Sequence, residues 1–141
     1  MTTPHPTTKR FSIVVIHRNG TQRLQDFLAS AYRAIDLTQD EIIIVDNHST
    51  DDSLETCQQQ FPDCQIIRNS FNTGYSTACN QGIRQSQGEF ILLCNNDILL
   101  PENLIRQCTD DFKNYPAVGL IGGQLVSPDG HHSRSAGMLT N

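Results

Sequence analysis

Four short polar segments hold the side chains able to do chemistry, and each directly follows an apolar run. The first is Val45-Asp46-Asn47-His48-Ser49-Thr50-Asp51-Asp52-Ser53. A carboxylate leaving a buried strand points into the crevice where open α/β sheets bind ligands, and there it accepts hydrogen bonds from a base or a ribose. The competing role is helix capping. Ser49 and Thr50 are N-cap candidates, and Asp51 and Asp52 complement the helix dipole. We assign the ligand role to Asp46 and capping to Asp51 and Asp52. The second segment runs Asn72-x-Gly74 to Asn80. A glycine entering a helix lets a ligand approach the backbone, and the helix N-terminus favours an anion such as a diphosphate. It is neither a G-x-G-x-x-G fingerprint nor a P-loop. The third, Leu93-Cys94-Asn95-Asn96-Asp97, ends a strand in oxygen-bearing side chains. A hard cation that also holds phosphate oxygens needs only one or two protein carboxylates. The fourth is His17-Arg18-Asn19-Gly20.

Stepping from these segments to what carries them, the apolar pattern alternates. Phe11–His17, Glu41–Asp46 and Glu89–Cys94 read as buried strands, and Gln65–Arg68 as a shorter one. Between them, Leu24, Phe27, Leu28, Ala31 and Ile35 make one stripe on a helix over 21–36. Leu54, Cys57 and Phe61 mark a second helix, with Asp52 and Glu55 at capping-box spacing. Ala78, Cys79, Gly82 and Ile83 form the inner face of a third over 75–87. Pro101 suits the first turn of a fourth, striped by Leu104, Ile105, Cys108 and Phe112. Val118–Val126 is expected to return to strand, and Ser127-Pro128-Asp129-Gly130 to turn. Residues 1–10 read as a flexible leader. The alternation predicts a Rossmann-like α/β fold: a mostly parallel sheet with helices on both faces. All four polar segments then stand at the carboxyl ends of strands.

The composition bounds the function. The chain has 141 residues, 37% hydrophobic and 18% charged, which fits one globular domain. Fifteen acidic against ten basic residues give a net charge of −5, with only two lysines; nucleic acid is not an expected partner. The apolar runs, such as Phe11–Ile16 and Phe90–Cys94, fall short of the ~20 residues needed to span a bilayer. No apolar signal segment opens the sequence. Five cysteines without a C-x-x-C pair fit reduced thiols in a cytoplasmic protein.

Taken in order, SIVVIHRNG, EIIIVDNHSTDDS, NTGYSTACNQGI and GEFILLCNNDILLP resemble the family 2 glycosyltransferases of GT-A fold, and among them the rhamnosyltransferase-like branch. The resemblance covers 11–141. It implies sugar transfer from a nucleotide-sugar, here a UDP- or dTDP-sugar, to an acceptor hydroxyl with inversion. It implies a saccharide or lipid-linked acceptor and a place in polysaccharide biosynthesis, in the cytoplasm or at the inner membrane face. By the same resemblance Asp46 matches the base-binding carboxylate, His17 and Asn19 lie in the nucleoside turn, and Asn72, Gly74, Asn80 and Asn96 line the donor pocket. Asp97 matches the metal-diphosphate anchor, with Asn95 as second oxygen ligand and Mg²⁺ or Mn²⁺ as the cation.

Three departures qualify the match. His17-Arg18-Asn19 lacks the aromatic that family members often carry in this turn; Arg18 either stacks on a base in its place or faces solvent. Asn95 stands where many members have Asp. The sequence stops soon after the turn at 127–130, where the family carries its acceptor site and general base. The expectation is therefore a donor-binding part, its open sheet edge facing a further half or another copy. The catalytic base is unknown. His131 and His132 could titrate near neutrality, but read as solvated turn residues. The alternatives are a non-catalytic binding domain and a nucleotidyltransferase. The latter calls for a glycine-rich phosphate loop carrying Lys or Arg, for which His17–Gly20 is poorly furnished.

Overall fold

The strongest folding signal in the chain is the run of β-branched residues in its first two strands. They become the centre of the sheet. In the computed structural model, which describes residues 9–132, the strands are β1 (Lys9–His17), β2 (Glu41–Asp46), β3 (Gln65–Arg68) and β4 (Gly88–Asn95), and the helices are α1 (Thr21–Ala34), α2 (Ser53–Gln60), α3 (Tyr75–Gln85) and α4 (Leu104–Asn114). The sheet has the order β3-β2-β1-β4 and is parallel throughout. Central β1 and β2 are buried on both faces, which is why they read as continuous apolar runs rather than alternating ones.

The order of strands dictates where the helices lie. The steps β1 to β2 and β2 to β3 move one way across the sheet, and β3 to β4 moves back past both. Right-handed crossovers then put α1 and α2 on one face and α3 on the other. The core agrees. Val14, Ile43 and Val45 pack with Ala78 of α3. Ile13, Val15, Ile42 and Ile44 alternate to the opposite face, where Leu24, Phe27, Leu28, Leu54 and Cys57 are also buried. Tyr32 meets Phe61 edge-on at 4.9 Å, joining α1 to the end of α2. Gly82 lets α3 lie close on the sheet: a Cβ there would stand 2.2 Å from Val14 Cγ1.

Several expectations are corrected. Val118–Val126 forms no strand. Its apolar residues Val118, Leu120, Ile121, Leu125 and Val126 are all exposed, and only Val126 bridges, antiparallel, to His132. Three glycines in nine residues weaken a strand that has no buried face. Ile83, placed on the inner face of α3, is instead exposed, since Ala78, Cys79 and Gly82 already fill that face. Pro101 precedes α4 rather than opening it, accepting a hydrogen bond from Leu104 N at 3.0 Å. The expected turn is present: Gly130 N donates to Ser127 O at 2.8 Å. Contacts divide the chain into two units, one running to Ile105 and the other beginning at Arg106. The second holds most of α4 and the turn at 127–130. The site lies in the first.

Candidate functional site

Strand order reverses between β1 and β4, and sheets of this kind bind ligands beyond the carboxyl ends of the strands at such a point. β1 ends at His17 and β2 at Asp46, and the two residues are partners in register. Asn47 N then donates to His17 O at 2.8 Å, and Asn69 N to Asp46 O at 2.9 Å, so the three exits from β1, β2 and β3 are tied backbone to backbone.

Asp46 is buried. Its Oδ1 accepts from Ser49 N at 3.0 Å and from Ser49 Oγ. Among the described residues none donates to Oδ2, and no buried side-chain oxygen lacks a partner; Oδ2 is thus an acceptor open to solvent. Ser49 is therefore engaged by Asp46 instead of capping α2. Asp52 occupies the N-cap without a side-chain cap bond, so the capping box with Glu55 is not formed; Glu55 pairs with Arg68 at 2.8 Å. Asp51 takes the cap-like role: Oδ1 accepts from Ser53 N at 3.3 Å and from Ser53 Oγ, and Oδ2 from Gly20 N at 2.7 Å. Burial pushes the Asp51 carboxyl up, but the hydrogen bonds from Ser53 and Gly20 outweigh it and hold the group below its usual range.

The loop after β3 is organised by a residue that the sequence reading did not single out. Asn47 is buried. Its amide donates to Asn72 Oδ1 at 2.8 Å and to Gly74 O at 3.3 Å. Its Oδ1 accepts from Thr73 N at 2.8 Å and Thr73 Oγ1 at 3.0 Å. Asn69 and Gln81 exchange two amide bonds of 2.8 Å each. Gly74 enters α3 at φ 82°, ψ 163°, a conformation nearly confined to glycine. Of the predicted residues, Asn72 and Gly74 join this network. Asn80 is exposed on α3, and its neighbour Gln81 makes the inward contact. The available signal was the density of Asn and Gln around the strand exits.

His17 is fully buried. Its Nε2 lies 2.7 Å from Ser53 Oγ and its Nδ1 2.8 Å from Asn96 Nδ2. Burial pushes the imidazole below its ordinary value, against the opposing pull of Asp46 and Asp51. Asn19, at φ 55°, receives Thr50 N on its Oδ1 at 2.8 Å and donates its own N to Ser49 Oγ at 2.9 Å. Arg18 is exposed. Asn95, the last residue of β4, and Asp97 beyond it are exposed, while Asn96 is held by His17 and Leu100 N donates to Ser30 Oγ at 3.0 Å. The segment is thus anchored on either side of Asp97. Among the described residues no three His, Cys, Asp or Glu side chains gather as a metal cage. Asp97 and Asn95 are exposed oxygen-bearing side chains two residues apart, chemically the kind that a hard cation takes when phosphate oxygens and water complete its shell.

The chain is similar in sequence and in fold to known proteins. Residues 12–138 match the protein family described as glycosyl transferase family 2. The chain is similar to a poly-beta-1,6-N-acetyl-D-glucosamine synthase of Staphylococcus epidermidis, 25% identical over 121 residues, covering 84% of this chain and 29% of that protein. It is similar to an N-acetylglucosaminyl-diphospho-decaprenol L-rhamnosyltransferase of Mycobacterium tuberculosis, 26% identical over 129 residues, covering 84% of this chain and 42% of that one. In fold it resembles S. aureus TarS 1–349 in complex with UDP-GlcNAc, with a TM-score of 0.70 at 21% identity over 76% of this chain and 32% of that one. It also resembles the mannosyltransferase PcManGT from Pyrobaculum calidifontis in complex with GDP-Man and Mn²⁺, with a TM-score of 0.67 at 20% identity over 90% of this chain and 39% of that one. The chain spans less than half the length of these relatives.

Proposed function

The chain belongs to glycosyl transferase family 2, and from that premise we propose that it supplies the donor-binding part of an inverting sugar transfer from a UDP- or dTDP-sugar to the hydroxyl of a saccharide or lipid-linked acceptor. One observation carries this reading: Asp46 stands at the carboxyl end of β2 with Oδ1 held by Ser49 and Oδ2 left as an acceptor. A fixed carboxylate with one uncommitted oxygen is suited to the N–H of a pyrimidine base or the hydroxyls of a ribose. The network around Asn47 sets Asn72 and Gly74 beside it, at the N-terminus of α3, where exposed backbone N–H groups favour a diphosphate.

Asp97 and Asn95 would hold a divalent cation together with the donor's phosphates. When bound, such a cation neutralises charge on the departing diphosphate. The protein's own contribution is to hold the nucleoside against β2 and to keep Asp97 between two anchors, Asn96 and Leu100. The base that takes the acceptor's proton is not assigned among the described residues. We place the reaction in the cytoplasm or at the inner face of the membrane; among the described residues no helix is long and apolar enough to cross one.

A thermal-shift titration with UDP, dTDP, GDP and ADP, each with and without Mn²⁺, tests the reading. A ligand at 100 times its Kd adds about 2.7 kcal/mol, a rise of roughly 8 °C at this chain length. A metal-dependent rise with UDP or dTDP is expected, and Asp46→Asn should abolish it. A cooperative melt unmoved by every nucleotide supports a non-catalytic binding domain instead.

A further inference from the structure

We propose that His17 is a positioning residue that fixes the amide of Asn96, so that Asn96 presents an acceptor oxygen to a hydroxyl of the nucleotide-sugar; this rests on the donor-site reading above. One chain of hydrogen bonds, from Asp51 through Ser53 and His17 to Asn96, fixes where each proton lies. Asp51 is a carboxylate and can only accept. Ser53 Oγ has one proton, and that proton goes to Asp51 Oδ1. The hydroxyl therefore has only a lone pair to offer His17 Nε2, 2.7 Å away, and Nε2 must carry hydrogen. A ring buried this completely is neutral, so Nδ1 has none. Nδ1 then accepts from Asn96 Nδ2 at 2.8 Å. The opposite setting of the Asn96 amide would require protons on both ring nitrogens, a buried imidazolium.

The consequence lies at Asn96. With Nδ2 turned to the ring, Oδ1 is turned away, and among the described residues no donor takes it. An acceptor in that position suits the O–H of a ribose or sugar. It does not suit a phosphate oxygen, which is itself an acceptor. That chain of bonds begins at Asp51, which also holds Gly20 N at 2.7 Å. The turn after β1, the start of α2 and the segment after β4 are thus set by one relay through His17. His17 itself is enclosed, and it shapes the donor pocket from behind.

Nitrogen-15 NMR on the full chain tests the relay directly. The expected result is a proton on His17 Nε2, none on Nδ1, and a coupling across the hydrogen bond between Asn96 Nδ2 and His17 Nδ1. A proton on Nδ1 at neutral pH overturns the proposal. Two variants then test positioning against mere packing, with UDP and Mn²⁺ as the probe in a calorimetric titration. His17→Asn puts an amide oxygen where Nδ1 was and keeps the acceptor for Asn96. His17→Gln keeps a donor for Ser53 and loses that acceptor. UDP affinity is expected to stay within about threefold in H17N and to fall at least about tenfold in H17Q. Equal losses in the two overturn the positioning role. A wild-type chain that shows the coupling but binds no nucleotide overturns the donor-site reading, and the role with it.

Discussion

The two ends of the sheet both bury carboxylates, and they use them differently. At the amino ends, every oxygen is committed. Asp40 takes Arg10 through two bonds of 3.1 and 2.8 Å and also accepts from Phe11 N and Asp36 N. Glu41 accepts from Ser12 Oγ, from Gln65 Nε2 at 2.7 Å and from Gln87 N at 2.7 Å. At the carboxyl ends, Asp46 keeps one oxygen back and Asp97 is exposed. A saturated cluster stabilises and is silent toward ligands; an unsaturated one gives up stability for binding. The partition divides mutations into those that should unfold the chain and those that should only empty its pocket.

The largest expected effect is at the saturated end. Glu41→Ala strands the donors of Ser12, Gln65 and Gln87 and should cost about 3 kcal/mol in chemical denaturation, while the folded fraction binds UDP as before. A Glu41→Ala chain of normal stability breaks the comparison. Next comes Gly74→Ala. Space is available there, so the cost is backbone strain alone, about 1–2 kcal/mol, accompanied by weaker nucleotide binding because the turn into α3 must shift.

Acid follows. His17 is held below the ordinary imidazole value by its burial, so the unfolded chain binds more protons than the folded one in that interval. Stability from this group is complete above about pH 6.5 and is lost as pH falls from there to the folded value. Melting temperature against pH should show this slope in the wild type and lose it in H17N. The smallest effect on stability belongs to Asp97→Ala, within about 0.5 kcal/mol for an exposed residue. Its effect on binding should be at least about tenfold, confined to titrations containing Mn²⁺. An equal loss without the cation sinks the metal assignment.

Much of this was legible beforehand where burial and periodicity agree. Strands β1 and β2, the stripe of α1 and the polar exits after each strand follow from residue types alone, because a fully buried strand has to be apolar on both faces. The expectation failed at Val118–Val126 because strand propensity means little without a face to bury. It failed at Ser49 because a hydroxyl three residues after Asp46 can serve that carboxylate as well as a helix end, and spacing does not choose between them. Ser53, Asn47 and Gln81 lie within the quoted segments, but nothing in residue type or spacing singled them out. Their roles depend on which loops the crossovers bring together, across 12 residues for Gln81, 25 for Asn47 and 36 for Ser53.

The sequence by itself thus determined the alternating α/β order, the family and the polar residues that stand at the strand ends, since these depend on local pattern and chain order. The tertiary structure alone decided which oxygens are committed and which are free. Hydrogen-bond saturation is a property of neighbours in space, and parallel strands take theirs from distant parts of the chain.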